Sequence, residues 1–226
     1  MKNILVLIPA FNAEKTISQL IEQISANNIE KEDILVVDDG SVDTTYETAR
    51  RCRVKIIQHN KNKGKGEALK TGFEYALREN YSGVITLDAD LQHDPKFIQE
   101  FIKKAENPDT KSDLLIGTRD ISLKNMPFSR WLTNNLTSII VSILGFTKVR
   151  DSQSGYRFIS AEVLKSIKLK TKKYELESEL LIKAGRKKFR IGPVPISTIY
   201  EGSKSFINPL VDTGRFIKLM WKSLFW

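Results

Sequence analysis

Two aspartates bracket one residue in Asp88-Ala89-Asp90, directly after the apolar run at 83–87. Carboxylates at that spacing can share a hard divalent cation, Mg²⁺ or Mn²⁺, which prefers oxygen ligands and leaves positions open for phosphate oxygens. An Asp-x-Asp by itself is common on solvated turns. Its place at the end of a buried strand, followed by Leu91-Gln92-His93-Asp94-Pro95, gives it more weight. Gln92 adds an amide oxygen to the candidate ligands. His93 reads equally well as a neighbour of the ligands and as a loop histidine satisfied within the fold.

A second acidic cluster, Asp38-Asp39-Gly40-Ser41, closes another apolar run. An acid in that position accepts hydrogen bonds from a nucleobase or ribose, whereas an Asp ahead of a helix caps it. One of the pair is expected to brace the loop and the other to contact a ligand. Asn62-Lys63-Gly64-Lys65-Gly66 is glycine-rich and basic. Glycine lets a backbone approach a ligand closely, and Lys65 is suited to meet phosphate. The spacing is not that of a Walker A loop. No Gly-x-Gly-x-x-Gly follows the first strand, which counts against a dehydrogenase. Arg119, Arg130 and Arg157 stand where the chain turns. Any one of them reads most simply as surface charge, but several converging guanidiniums suit an anionic substrate. With two histidines and the single Cys52, no nucleophilic triad, thiolate metal site or intrachain disulfide is supported, and a reducing, cytoplasmic setting is favoured.

The elements that must position these groups alternate. Apolar runs at 4–8, 33–37, 54–58, 83–87 and 114–117 read as strands. The segments 14–25, 44–53, 66–79 and 95–106 read as helices. Strands alternating with helices predict an α/β fold, a mostly parallel sheet flanked by helices, with ligands at the carboxyl ends of the strands. Asn12, Asp38-Asp39 and Asp88-Ala89-Asp90 all fall at such ends. Further on, 125–130 reads as a loop, 131–144, 175–187 and 212–226 as helices, and 189–195 and 197–200 as strand segments. No repeat or linker marks a domain boundary, so residues 1–226 are expected to form one domain.

Charge divides that domain. The 226 residues carry a net charge of +9. Residues 1–120 hold 17 Lys+Arg against 20 Asp+Glu, and residues 121–226 hold 19 against 7. An acidic front and a basic back suggest two jobs, the back facing anionic lipid, phosphorylated small molecules or nucleic acid. No zinc-finger spacing or aromatic RNA-binding signature is present, which argues against nucleic acid. No stretch reaches the roughly 18–20 apolar residues of a spanning helix, but 132–146 and 215–226 are amphipathic or end in Trp and suit a membrane interface.

Taken in order, Val6-Leu7-Ile8-Pro9-Ala10-Phe11-Asn12, Val37-Asp38-Asp39-Gly40-Ser41, Asn62-Lys63-Gly64-Lys65-Gly66, Leu87-Asp88-Ala89-Asp90-Leu91-Gln92-His93, Gly117-Thr118-Arg119, Pro127-Phe128-Ser129-Arg130, Ser154-Gly155-Tyr156-Arg157 and Ser205-Phe206-Ile207-Asn208-Pro209 resemble a family 2 glycosyltransferase of the dolichol-phosphate mannosyltransferase-like group. The resemblance implies the GT-A nucleotide-sugar-binding fold. It also implies metal-dependent, inverting transfer of a hexose, from a GDP-mannose or UDP-glucose type of donor, to a polyprenyl phosphate. By position it implies that Pro9, Phe11 and Asp39 hold the nucleoside, and that Asp88, Asp90 and Gln92 hold Mg²⁺ or Mn²⁺ and the diphosphate. Arg119, Arg130 and Asn134 would face the acceptor phosphate, and Arg157 and Glu179 would organise the site. Two departures stand out. Ala13 precedes Glu14 where the family usually has Glu at once, and Phe206 follows Ser205 where Lys is common, so that Lys204 supplies charge one residue earlier. An acceptor in the bilayer implies peripheral attachment at the cytoplasmic membrane face. A competing enzyme would glycosylate a sugar hydroxyl, with Asp151 as general base, and a different class would bind nucleotide sugar without catalysis.

Overall fold

The computed structural model describes residues 4–107, 112–119, 128–197 and 209–223, with backbone only at 128–130 and 209–213. Seven strands form one sheet: β1 (Ile4–Ala10), β2 (Ile34–Asp38), β3 (Lys55–Gln58), β4 (Gly83–Thr86), β5 (Leu114–Thr118), β6 (Arg157–Ser160) and β7 (Ile191–Pro195). Their order is β3-β2-β1-β4-β6-β5-β7. All pairs are parallel except those made by β6, which runs against both β4 and β5. This is the expected α/β architecture, and its apolar strands are continuous because both faces are covered.

Side-chain alternation along β1 sorts the core into two layers. Leu5 and Leu7 pack with α3 (Lys65–Arg78), α5 (Phe128–Gly145), α6 (Ala161–Ser166) and α7 (Glu175–Arg186). Val6 and Ile8 pack with α1 (Ile17–Ser25), α2 (Thr45–Arg51) and α4 (Ile98–Glu106). On α1 the apolar residues Ile17, Leu20, Ile21 and Ile24 recur at helical spacing and all are buried. Each such side chain contributes about 1.5–3 kcal/mol when removed from water.

The expected elements shift in instructive places. Helix α1 starts at Ile17, three residues late, because Glu14 turns away to accept from the Thr44 backbone and hydroxyl. The segment 125–130 was expected to be a loop, but α5 already begins at Phe128, which puts Arg130 in its first turn. Strand β6 is absent from the sequence expectation because a buried arginine, Arg157, opens it and breaks the apolar pattern. Of the expected segment 197–200, Ser197 lies beyond the end of β7 and the rest falls outside the described residues.

Helix α5 is inverted relative to an ordinary surface helix. It buries Asn134 and Ser138 beside Val141, and it exposes Leu132, Leu136, Ile139, Ile143 and, just past its end, Phe146. Exposure rises along that stripe, reaching 66% at Ile143 and 83% at Phe146. Helix α8 (Pro209–Ser223) buries Leu219 and exposes Ile217 and Trp221 among Lys218 and Lys222. Arg186, the last residue of α7, donates to the carbonyls of Leu144 and Ser223 and so ties the ends of α5 and α8 together.

Candidate active site

The carboxyl ends of β1, β2 and β4 share one edge of the sheet, and the reversed β6 begins there. Loops after β1 and β2 are laced together. The Asn12 backbone N–H donates to Ser41 Oγ, and Asn12 Oδ1 accepts from the Val42 N–H. Asn12 itself takes the left-handed conformation, φ +51°, which asparagine tolerates. Pro9 is buried in β1 and Phe11 is half-buried just beyond it.

Both aspartates of the second cluster face inward. Asp38 accepts from the Ser41 N–H and hydroxyl and from Gln58 Nε2. Asp39 pairs with His59 Nδ1 at 2.7 Å and accepts from the backbone N–H groups of Lys63 and Gly64 at 3.0 and 2.7 Å. His59 in turn contacts Thr71 Oγ1 on α3 at 2.9 Å. Of the expected division of labour, one brace and one ligand contact, the hydrogen bonds show bracing by both side chains. Asp39 thereby sets the shape of the loop that leads into Lys65. Gly40 lets the two loops touch, since a Cβ there would lie 2.5 Å from the Lys61 backbone.

Asp88 follows β4. Its Oδ1 is 2.7 Å from Lys65 Nζ, which also reaches Glu177 Oε2 at 3.2 Å. Burial pushes the Asp88 carboxyl up, but the nearby cations, Lys65 foremost, hold it below the ordinary value. Asp90 is exposed, and its one described hydrogen bond is from the Gln92 N–H at 3.1 Å. Partial desolvation and the charge of Asp88 push Asp90 up. Neighbouring carboxylates raise the cost of one another's ionisation, and a shared cation relieves it. Among the described residues no cluster of three or more His, Cys, Asp or Glu side chains could enclose a metal alone. Two carboxylates with an amide oxygen nearby suit a cation whose remaining positions go to water and phosphate.

Gly155, just before β6, presses on this pair. A Cβ at that position would lie 2.3 Å from Asp88 Oδ2, and the Gly155 carbonyl accepts from Thr86 Oγ1 at 2.7 Å. Gly155→Ala must therefore displace Asp88. A displacement of about 1 Å at a reacting centre costs on the order of 100-fold, and that fall in kcat/KM is expected with the far-UV dichroism unchanged. Wild-type kinetics in this variant would remove Asp88 from the chemistry.

Behind the carboxylates lies a buried polar wall. Arg157 donates to the carbonyls of Ser152, Ser154 and Glu177 at 2.8–2.9 Å and is 1% exposed. Arg119 grips Asp151 with two parallel bonds of 2.7 and 2.9 Å, and Asp151 is fully buried. Ser152 beside it bonds Ser138 of α5. His93 is buried and within electrostatic reach of both the Asp88–Lys65 and Arg119–Asp151 pairs. Burial, only partly offset by Asp88, takes its pKa down to about 4, so the ring is neutral at physiological pH. Its ring lies 5.6 Å from that of Tyr156, which stacks on Phe101.

Against this geometry, a model of the family described as glycosyl transferase family 2 matches residues 5–168, from β1 past β6. The chain belongs to glycosyl transferase family 2. It is 37% identical over 221 residues to the UDP-N-acetylglucosamine–dolichyl-phosphate N-acetylglucosaminyltransferase of Methanococcus voltae, covering 88% of this chain and 86% of that one. It is 32% identical to the dolichol-phosphate mannosyltransferase of Pyrococcus furiosus, covering 79% of this chain and 52% of that one. The fold matches crystalline glucosyl-3-phosphoglycerate synthase of Mycobacterium tuberculosis, in complex with Mn²⁺, UDP and phosphoglyceric acid. That match has a TM-score of 0.75 at 22% identity and covers 99% of this chain and 77% of that one. The sheet with its flanking helices is thus a GT-A fold, and the protein is a glycosyltransferase.

Within this glycosyltransferase the fold gathers Lys65, Asp88, buried Ala89, Asp90, Gln92, Arg119 and Arg157 around the β4 edge. Asn134 is buried on the inner face of α5. Glu179 stands apart. Buried, it accepts from Lys170 N, Thr171 N, Thr171 Oγ1 and Lys183 Nζ. Burial pushes its carboxyl up, but these donors outweigh that and hold it low. Its effect on the site is indirect: the loop it holds runs on to Lys172 and Lys173, which pack against Gly64 and Gly66. Of Arg130 only the backbone is described, and Lys204, Ser205 and Phe206 lie outside the described residues. Sequence reasoning missed Glu177. An acid in the first turn of α7 looks like ordinary helix chemistry, and nothing local signals that it meets Lys65.

Proposed function

We propose that this glycosyltransferase moves a hexose from a nucleotide sugar to a polyprenyl phosphate with inversion, at the cytoplasmic face of a membrane. Helix α5 carries the proposal. Its inner face contacts the loop holding Asp151 and Ser152, against Arg119, while its outer face is an exposed apolar stripe. One element thus joins an anion-handling site to a surface suited to lipid. The names of the Methanococcus and Pyrococcus relatives, both acting on dolichyl phosphates, support the same acceptor class.

Asp88, Asp90 and Gln92 would hold Mg²⁺ or Mn²⁺. Bound there, the ion supplies charge neutralisation for a departing nucleoside diphosphate. Pro9 and Phe11 line the nucleoside side, on loops shaped by Asp38 and Asp39. Lys65 lies beside Asp88 on the diphosphate side, and Arg157 and Glu179 hold the surrounding loops in place. Arg119, Asn134, Arg130 and Lys204 serve the acceptor phosphate. That phosphate is already anionic at neutral pH, so the chain needs to position it rather than deprotonate it. Asp151, the base a hydroxyl acceptor would need, is sealed in its pair with Arg119. The deciding experiment incubates the protein with Mn²⁺, polyprenyl phosphate and GDP-mannose, UDP-glucose or UDP-N-acetylglucosamine in turn. A lipid-extractable, acid-labile sugar phosphodiester is expected. An acid-stable glycoside would overturn the acceptor assignment.

Among the described residues no helix is long and apolar enough to cross a membrane, so contact is assigned to the exposed faces of α5 and α8. Contiguous exposed apolar surface flanked by lysines suits an anionic interface. The protein is expected to co-sediment with phosphatidylglycerol vesicles at low salt. The double variant Ile139→Glu, Ile143→Glu is expected to remain in the supernatant with an unchanged thermal midpoint. Wild-type protein left in the supernatant would refute the attachment.

A further inference from the structure

We infer that Lys65 is an internal counter-ion for Asp88, occupying the cation's place until nucleotide arrives and thereby coupling metal binding to nucleotide binding. The inference rests on the assignment of Asp88 to the divalent cation. Lys65 Nζ sits 2.7 Å from Asp88 Oδ1, so an ammonium already uses an oxygen that a metal ion would take. The two cations repel at contact distance and cannot both hold that carboxylate at full strength.

The turn that presents Lys65 is clamped. Asp39 takes the N–H groups of Lys63 and Gly64, and Glu67 N donates to Lys172 O at 3.0 Å. A Cβ on Gly66 would lie 2.6 Å from the Lys172 backbone. The backbone is therefore held, and adjustment falls to the four-carbon stem of the lysine. Glu177 provides its other resting place, with Oε2 at 3.2 Å, and the Tyr174 ring lies 6.0 Å from the ammonium. A diphosphate arriving beside Asp88 would offer the ammonium a further anionic partner and free Asp88 for metal. By linkage, metal and nucleotide must then strengthen one another's binding by the same factor.

Mn²⁺ binding, followed by the paramagnetic resonance of the free ion, tests this without reference to turnover. Wild type is expected to bind Mn²⁺ at least tenfold more tightly when UDP or GDP is present. Lys65→Met is expected to bind Mn²⁺ about tenfold more tightly than wild type without nucleotide, as removal of one unit charge a few ångströms away implies. In that variant nucleotide should strengthen Mn²⁺ binding by a smaller factor than in wild type, because only direct ligation by its phosphates remains. Glu177→Gln supplies a second reading that keeps Lys65. It leaves the ammonium to Asp88 alone and is expected to weaken Mn²⁺ binding several-fold without nucleotide. Thermal midpoints confirm folding of each. Lys65→Met at or below wild-type affinity, or Glu177→Gln at or above it, overturns the counter-ion role alone. Absence of Mn²⁺ binding in wild type and Lys65→Met, with nucleotide or without, overturns the metal assignment and the inference with it.

Discussion

Asp90→Ala is expected to abolish sugar transfer, with kcat falling by about 1,000-fold or more even at saturating Mn²⁺. The side chain is exposed and its one described hydrogen bond is from the Gln92 N–H, so its removal leaves the fold intact. What is lost is one of two carboxylates crowded after β4, and partial desolvation and Asp88 together push Asp90 up. A divalent cation shared by the two carboxylates would relieve that crowding. The alanine variant would keep Asp88 beside Lys65 and lose the second anchor. A metal contribution of several kcal/mol to leaving-group stabilisation corresponds to the fall stated. The check is a single-turnover assay with divalent metal present, alongside an unchanged melting curve. Near-normal turnover would sink the assignment of Asp90.

The second large effect is on stability. Arg157→Met should lower the unfolding free energy by about 3–5 kcal/mol, the usual cost of removing one partner from a buried charge network. The guanidinium is 1% exposed and answers three carbonyls, those of Ser152, Ser154 and Glu177. Methionine fills much of the volume but strands those acceptors, each costing about 1–3 kcal/mol when unsatisfied. For a chain of this size the midpoint should fall by roughly 10 °C. Arg157→Lys should recover only part of it, because an ammonium cannot reach three carbonyls in one plane. A midpoint within 2 °C of wild type in Arg157→Met would show that the 152–155 segment is held by something else.

The two variants separate roles that look alike in the sequence. Asp90 and Arg157 are both charged residues near strand ends. One is exposed and can be removed without strain, while the other is buried and is the hub on which the loop behind Asp88 hangs. Arg157, expected to organise the site, donates to three backbone carbonyls. Asp39, expected to touch the nucleoside, has its oxygens on the Lys63 and Gly64 N–H groups and His59.

Local chemistry in the chain determined the alternation of strands and helices, the four parallel strands β1–β4, and the placement of Asp38-Asp39 and Asp88-Ala89-Asp90 at their carboxyl ends. Apolar periodicity and turn residues act over a few positions, and those signals are complete within each segment. The ordered motifs also determined the family. Only the tertiary structure decided which charges meet. Lys65 and Glu177 are 112 residues apart, and their contact depends on β6 running backwards between β4 and β5 and on α7 packing against α3. Likewise, Asp151 is a free base on paper and a buried partner of Arg119 in the fold. The direction in which α5 faces could not be read either. Its apolar and polar residues are both plain in the sequence, but which side turns inward depends on Ser152 and Ser138 finding one another across the fold. A charge or a hydroxyl carries no mark of its eventual partner, because desolvation and pairing are properties of the assembled site.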